Sequence, residues 1–274
     1  MKIKKGKYFP YGIHVKGMKE LCNERAIEKM PAPSKVYIST SQHIGAPATP
    51  IVEVGEKVKK GGLIAKESGP ISANVFSSVS GTVTSIEDIV NGLGQKQKYI
   101  VIENDNLDEQ VYFDKIEEIT PQAIIDRVRL AGIVGLGGAG FPTAVKLSPK
   151  SQLDILVING AECEPYLNCD YRLMIERTEE IYKGIKLAAK ALNVTDIKIG
   201  IESNKPLAIE AFNKYQDVEV IELKKQYPMG SEKHLIYCCT GRKVPVAKMP
   251  FDVGVCVLNI KTVLAIKLGS LTSI

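Results

Sequence analysis

Leu153-Asp154-Ile155-Leu156-Val157-Ile158-Asn159-Gly160-Ala161-Glu162-Cys163-Glu164-Pro165 is a short apolar run that stops abruptly at an amide, a glycine and two carboxylates. Its length and composition predict a strand over Leu153–Ile158. The segments beyond it alternate in kind. Met174, Ile181, Ile185, Ala188 and Leu192 recur at helical spacing, which predicts one helix over Leu173–Leu192. Ile197–Ile201 and Val218–Leu223 then read as strands around a helix near Pro206–Tyr215. Ser231–Thr240, stopped by Gly241, reads as a short helix, and Val253–Leu258 as a last strand. Strands alternating with helices predict an α/β layer on a largely parallel sheet over residues 120–274.

Upstream the signal differs. Residues 1–34 are rich in lysine, glycine and proline, lack a sustained period and read as an extended arm. From Lys35 the runs Val36–Ile38, Ile51–Val54, Leu63–Ala65, Val79–Ile86 and Tyr99–Ile102 are short and punctuated by glycines, which predicts a small all-β unit over 35–112. A polar acidic connector leads to Thr120-Pro121, where threonine can cap a helix and proline can take its first position; Ile124, Ile125, Val128 and Leu130 ride that helix.

The chain has 274 residues, 45% apolar and 24% charged, which suits about two packed domains and excludes a disordered or fibrous chain. A net charge of +5, spread along the chain, is too weak and diffuse to indicate nucleic acid as a partner. No stretch reaches membrane-span length, since Val253–Leu268 is interrupted by Asn259, Lys261 and Lys267. Met1–His14 lacks the apolar core of a signal peptide, so the cytoplasm is the expected compartment. The six cysteines show no repeated C-x-x-C spacing, which argues for thiols rather than a metal site.

Gly135-Leu136-Gly137-Gly138-Ala139-Gly140-Phe141-Pro142-Thr143-Ala144-Val145-Lys146 satisfies G-x-G-x-x-G formally but follows a helix, whereas a dinucleotide fold places that motif directly after a strand. The physics of the loop survives that objection. Four glycines within six residues expose backbone N–H groups able to hold a phosphate, with Lys146 as cation and Phe141-Pro142 as an apolar wall. A ligand-free tight turn is the alternative. Asn159, Glu162 and Glu164 sit where α/β folds place ligands and can serve polyols or a ring-imide edge; a solvated acidic turn is the alternative there. Tyr227–Lys233 opens a short helix and can present donors to an anion, and Asn259-Ile260-Lys261-Thr262 follows a strand again. His14, His43 and His234 lie in unrelated segments with no paired nucleophile, which disfavours a hydrolase, and His43 reads as structural.

Two resemblances rest on these residues. Val54–Gly61, Ser72-Ala73 and Val79–Val83 are similar to the barrel-sandwich module of lipoyl and biotinyl domains, but no lysine lies between Glu67 and Val79, where a carrier would display one. Gly135–Leu147, Asn159–Pro165, Asp170–Met174, Tyr227–Lys233 and Met249–Ile266, with Ser41–Pro47 and Gly55–Val83, resemble the C subunit of the Rnf electron-transport complex over nearly all of the chain. The glycine loop and the Asn159/Glu162/Glu164 set are also similar to the flavin- and NADH-binding subunit of respiratory complex I.

The resemblance implies a barrel-sandwich unit followed by a Rossmann-like flavin and nucleotide domain. It implies electron transfer between NADH and ferredoxin coupled to sodium or proton movement, with this chain as the NAD side, cytoplasmic and peripherally attached to the cytoplasmic face of the cell membrane beside the complex's other subunits. FMN and NAD(H) are the implied cofactors. Gly135, Gly137, Gly138, Gly140 and Lys146 would hold the flavin phosphate and ribityl chain; Asn159, Glu162, Gly230, Glu232 and Asn259 would complete the cradle; Phe141 and Glu164 would face the nicotinamide nucleotide. Three positions depart from the complex I pattern: Leu136 stands for an arginine, Ala161 for an aspartate and Lys233 for a glutamate. The family continues into a region that ligates [4Fe–4S] clusters; this chain stops at Ile274 without it, so a shortened member, or one unable to pass electrons onward alone, is expected. An electron-transfer protein of an amino-acid (proline) reductase system and a cofactor-free docking module are the other readings.

Overall fold

The computed structural model describes residues 3–271, so the first two residues of the expected arm and the last three of the α/β region lie outside the described residues. Two compact units form. One takes in the chain up to Glu28 and Leu147–Lys267; the other takes in Lys29–Lys146 and the chain from Leu268 on.

The first unit is built on a five-stranded parallel sheet. Its strands are β1 (Lys4–Lys5), β9 (Ile155–Gly160), β10 (Asp196–Glu202), β11 (Glu219–Leu223) and β12 (Val255–Asn259), in the spatial order β1-β11-β10-β9-β12. The expected parallel α/β layer is therefore present. Crossovers run through α3 (Cys169–Glu176) and α4 (Thr178–Leu192), then α5 (Pro206–Asn213), then α6 (Glu232–Thr240), and α7 (Ile260–Leu271) follows β12. Leu156, Val157 and Ile158 are fully buried, as a sheet covered on both faces requires. Val157, Leu223, Leu235 and Val255 belong to the cluster under α6. From β9 the chain steps outward to β10 and β11, but β12 joins on the opposite side of β9. That reversal is a topological switch point, where open parallel sheets leave a crevice at the carboxyl ends of the strands.

The expected Leu173–Leu192 helix is two helices. Arg177, at φ −126° and ψ 28°, ends α3 and precedes α4. Buried Met174 and Ile181, seven residues apart, keep the heptad phase across the break, so periodicity alone cannot reveal it. The arm is not a free extension either. Lys4 and Lys5 pair in parallel with Ile221 and Glu222 at the sheet edge, a pairing that two lysines in a polar stretch do not announce.

The second unit holds two antiparallel sheets. β2 (Lys35–Ser39), β8 (Lys96–Asn104), β7 (Gly81–Val90) and β4 (Lys57–Val58) form one, in that order; β3 (Thr49–Pro50), β5 (Leu63–Lys66) and β6 (Val75–Phe76) form the other. Ile38, Ile64, Val75, Val83, Ile100 and Ile102 meet in one core, the expected small all-β module. Ile51–Val54, read as a strand, lies beyond the end of β3, with Ile51 N–H donating to Ile64 O (3.0 Å). α1 (Pro121–Leu130) begins as expected, with Thr120 Oγ1 accepting from Ala123 N–H at 3.1 Å. A short α2 (Thr143–Lys146) follows the glycine loop.

The hairpin tip where a carrier lysine would stand is tied down. Asn74 Nδ2 donates to Leu130 O at 3.1 Å, and a Cβ on Gly132 would lie 2.1 Å from Asn74 O. Asn74, on the returning side of the tip, is thus the seat for the end of α1. His43 is structural, buried at 8% exposure, with Nε2 accepting from Ala73 N–H at 3.1 Å.

Candidate functional site

Asn159 and Asn259 are register partners at the carboxyl ends of β9 and β12, on either side of the switch point. Asn159 Nδ2 donates to Gly230 O (2.9 Å) and its Oδ1 accepts from Ala161 N–H (3.1 Å). Asn259 Nδ2 donates to Asp170 Oδ2 (2.7 Å) while its Oδ1 accepts from Lys261 N–H (2.8 Å). Both amides are thus spent on fixing the loops. Gly230 is glycine for a close approach, since a Cβ there would sit 2.6 Å from Ala161 O.

The reactive groups stand just beyond. Glu162, 6% exposed, uses Oε1 to accept from Asp170 N–H (2.9 Å) near the start of α3, while its buried Oε2 accepts no hydrogen bond. Asp170, 5% exposed, has a second such oxygen, Oδ1, with Lys261 Nζ 3.6 Å away. Burial and then the Glu162 charge push the Asp170 carboxyl above the ordinary range. Burial opposes the Lys261 ammonium, but Asp170 and Cys169 outweigh it and leave its pKa raised. The Cys169 thiol is pushed up by burial and by Glu162, and Cys163 by burial. All six cysteines are reduced thiols.

Glu162, Cys169 and Asp170 bring ligand-type atoms within 4.8 Å of one another. Lys261 Nζ lies 3.4 Å from Cys169 Sγ, so an ammonium already stands where a cation would be wanted. Glu164 is exposed, and its Oε2 accepts from Tyr166 N–H (2.9 Å) and Leu167 N–H (2.7 Å), which makes it the staple of its own turn. Glu232 is half-buried at the first position of α6.

Asp170 sits in a state that costs stability, and that has a testable consequence. Its carboxyl titrates higher in the folded chain than in the unfolded one, so ionisation near neutral pH opposes folding, and the penalty vanishes in acid where both forms are protonated. Asp170→Asn is expected to raise stability by about 1 kcal/mol at neutral pH and by much less in acid, read from urea unfolding at the two pH values. Equal or lower stability at neutral pH would show that the hydrogen bond from Asn259 and the Lys261 charge outweigh the burial.

The glycine loop belongs to the other unit. Gly135 N–H donates to Phe141 O (2.8 Å), and Val134 pairs with Pro142, so the loop is a closed excursion with a narrow neck. Leu136, Gly137, Gly138 and Ala139 are exposed at its tip. Its glycines differ in purpose. Gly140, at φ +61°, packs so that a Cβ would meet Gln42 O and His43 Cα at 3.1 Å, whereas Gly138, at φ +134°, has no atom within 4 Å of a Cβ position. Gly140 serves the fold, and Gly138 faces a space the protein does not fill. Lys146 closes α2, and Phe141 is half-buried at the neck.

These observations test the residues against a flavin nucleotide. In one unit a glycine loop with open space at Gly138 suits a phosphate; in the other, buried carboxylate oxygens lacking donors suit ribityl hydroxyls or a ring N–H. The residues fit. In the sequence Asp170 has a signal only as part of a matched motif and Lys261 only as part of the strand-end stretch Asn259–Thr262, and Lys19 has none, being one lysine among many in the arm.

A parallel sheet with a switch point at the carboxyl ends of its strands, together with a small antiparallel module, defines an α/β protein of the kind that places ligands at strand ends. The family described as the Nuo51 FMN-binding domain matches residues 128–268, and the RnfC barrel sandwich hybrid domain matches residues 7–107. The chain belongs to the family of C subunits of the Rnf-type ion-translocating oxidoreductase complexes. It is 44% identical over 270 residues to the C subunit of the proton-translocating ferredoxin:NAD(+) oxidoreductase complex of Clostridium ljungdahlii, covering 95% of this chain and 59% of that one. It is 45% identical to the C subunit of the ion-translocating oxidoreductase complex of Rhodobacter capsulatus, covering 94% and 52%. The Na(+)-translocating counterpart of Acetobacterium woodii is 41% identical, at 100% and 64%. The chain therefore spans between about half and two thirds of the length of these relatives.

Proposed function

We propose that this chain is the flavin-bearing, NAD(H)-facing part of an ion-translocating ferredoxin:NAD oxidoreductase complex. The observation that carries this is the switch point itself: Asn159 and Asn259 opposite each other, with Glu162 Oε2 and Asp170 Oδ1 buried beside them without hydrogen-bond donors, inside the stretch matched by an FMN-binding family. Gly135, Gly137, Gly138, Gly140 and Lys146 take the flavin phosphate and ribityl chain, with backbone donors at the open loop tip. Asn159, Glu162, Gly230, Glu232 and Asn259 complete the cradle: the two asparagines hold the loops, and Glu162 offers its second oxygen. Phe141 and Glu164 serve the nicotinamide nucleotide, the ring held by the loop neck and the carboxylate held by its turn. Bound FMN supplies a carrier that takes up a hydride and gives its electrons up singly. The protein's own task is orientation and exclusion of water.

Iron–sulfur clusters outside these residues would take the electrons onward, and the remaining subunits and ferredoxin are the proposed partners. Among the described residues no helix is long and apolar enough to cross a membrane. Peripheral attachment through other subunits is the proposed location. Anaerobic addition of NADH to the FMN-loaded protein is the test: bleaching of the flavin band supports the reading, and an unchanged band in a protein that holds FMN removes NAD(H) from it.

A further inference from the structure

We infer that the N-terminal arm is part of the strand-end site and that Lys19 is its positioning residue, tying the loop from Glu162 to Leu167 into the shape that offers Glu162 to the cleft beneath the arm. The arm follows the carboxyl ends of the strands. Ile13 and Tyr227 exchange backbone bonds of 2.8 Å, Gln226 Nε2 donates to Phe9 O at 2.9 Å, and Met18 N–H donates to Pro165 O at 3.0 Å. These contacts deliver a single 3-10 turn, Lys19–Leu21, to the turn after β9.

The Lys19 side chain, 14% exposed, donates from Nζ to Glu164 O at 2.9 Å and to Leu167 O, and lies 4.0 Å from Glu162 Oε2. One ammonium thus closes both ends of the turn that Glu164 staples from inside. The cleft beneath is lined by His14, Gly17, Lys19, Glu162, Glu202 and Gln226, among others. Glu162 and Glu202, two of its lining residues, each keep a buried carboxylate oxygen, Glu162 Oε2 and Glu202 Oε1, that accepts no hydrogen bond. Glu202 is otherwise paired with Lys205 at 2.7 Å.

A lysine needed only to anchor the arm would gain little from burial, because the backbone bonds at Ile13 and Met18 already anchor it. Burial does disfavour the Lys19 ammonium, lowering its pKa against the pull of Glu162. What that cost secures is a fixed turn and a counter-charge beside an acceptor that lacks a donor. A single donor from a ligand, a hydroxyl or a ring N–H, is the chemistry that satisfies such an acceptor. The ligand's identity as FMN rests on the proposed function; the role of Lys19 in shaping the turn does not.

The test compares wild type with Lys19→Met, Lys19→Arg and a control at the exposed arm lysine, Lys16→Met. Without flavin, amide hydrogen exchange is expected to quicken at Tyr166 and Leu167 in Lys19→Met only. With FMN, fluorescence titration is expected to show affinity about tenfold weaker in Lys19→Met, with substantial recovery in Lys19→Arg and none lost in the control. Wild-type exchange rates at Tyr166 and Leu167 in Lys19→Met, or undiminished FMN affinity, would overturn the inference. Should wild type take up no FMN, the flavin reading falls, while the exchange data still decide the place of Lys19. Should Lys19→Met fail to fold, Lys19→Arg decides: weakened binding equal to that of a Lys19→Gln variant would reject the charge-specific role.

Discussion

Gly138→Glu is expected to lower FMN affinity at least about a hundredfold while leaving the protein folded. The position is unusual in that no protein atom lies within 4 Å of where a Cβ would be, so a side chain there meets no neighbour it could disturb. It does fill the open loop tip, and a carboxylate placed there opposes a phosphate through both bulk and charge. The backbone, at φ +134°, adds a local cost of roughly 1–3 kcal/mol for any L side chain, which is expected to cost only a few degrees of melting temperature. Gly138→Ala carries the same backbone cost with almost no bulk and serves as the comparison. Equal FMN affinity in Gly138→Glu and wild type, measured by fluorescence quenching, would remove the loop from the cofactor site.

The second large effect is on stability. Gly184 lies within α4, where helix propensity alone predicts that alanine stabilises by about 1 kcal/mol. The packing predicts the opposite. A Cβ at Gly184 would stand 1.9 Å from Val263 O and 2.7 Å from Val263 C, both backbone atoms of α7, so α4 and α7 must move apart. Separating them strips contacts from Ile181, Ile185 and Val263, all fully buried. Overpacking against backbone exceeds the propensity gain, and Gly184→Ala is expected to lose about 3 kcal/mol or more in urea unfolding. A neutral or stabilising result would mean that the two helices do not approach this closely.

How much of the fold is legible in the sequence depends on what its signals measure. Leu153–Ile158 and Val253–Leu258 are apolar enough to announce strands, and Thr120-Pro121 carries its cap and first-turn residue in the right order, so these are readable from local chemistry. Arg177 is not, because the helices on either side keep the same apolar phase. Lys4 and Lys5 form a strand only because Ile221 and Glu222 offer an edge, a tertiary cause with no local trace. The same holds at the site. Asn159, Glu162 and Asn259 are readable as strand-end residues, and the resemblance adds Gly230 and Glu232. Their division of labour is not: both asparagines are consumed by internal bonds, and carboxylate oxygens without donors belong to Glu162 and to Asp170, which lies eight residues on and joins Glu162 through the start of α3. Lys19 enters through a long-range contact that composition cannot encode. Compactness also groups residues 120–146 with the barrel, where Asn74 provides a seat for the end of α1, although the change of pattern after Thr120 points toward the α/β region.

The most direct measurement is the visible spectrum of the purified chain after incubation with FMN and removal of excess. The flavin reading predicts about one FMN retained per chain, with a perturbed flavin band and quenched emission, and loss of that signal in Gly138→Glu. A protein that emerges colourless, folded by circular dichroism and with no flavin retained at micromolar concentrations, would contradict it.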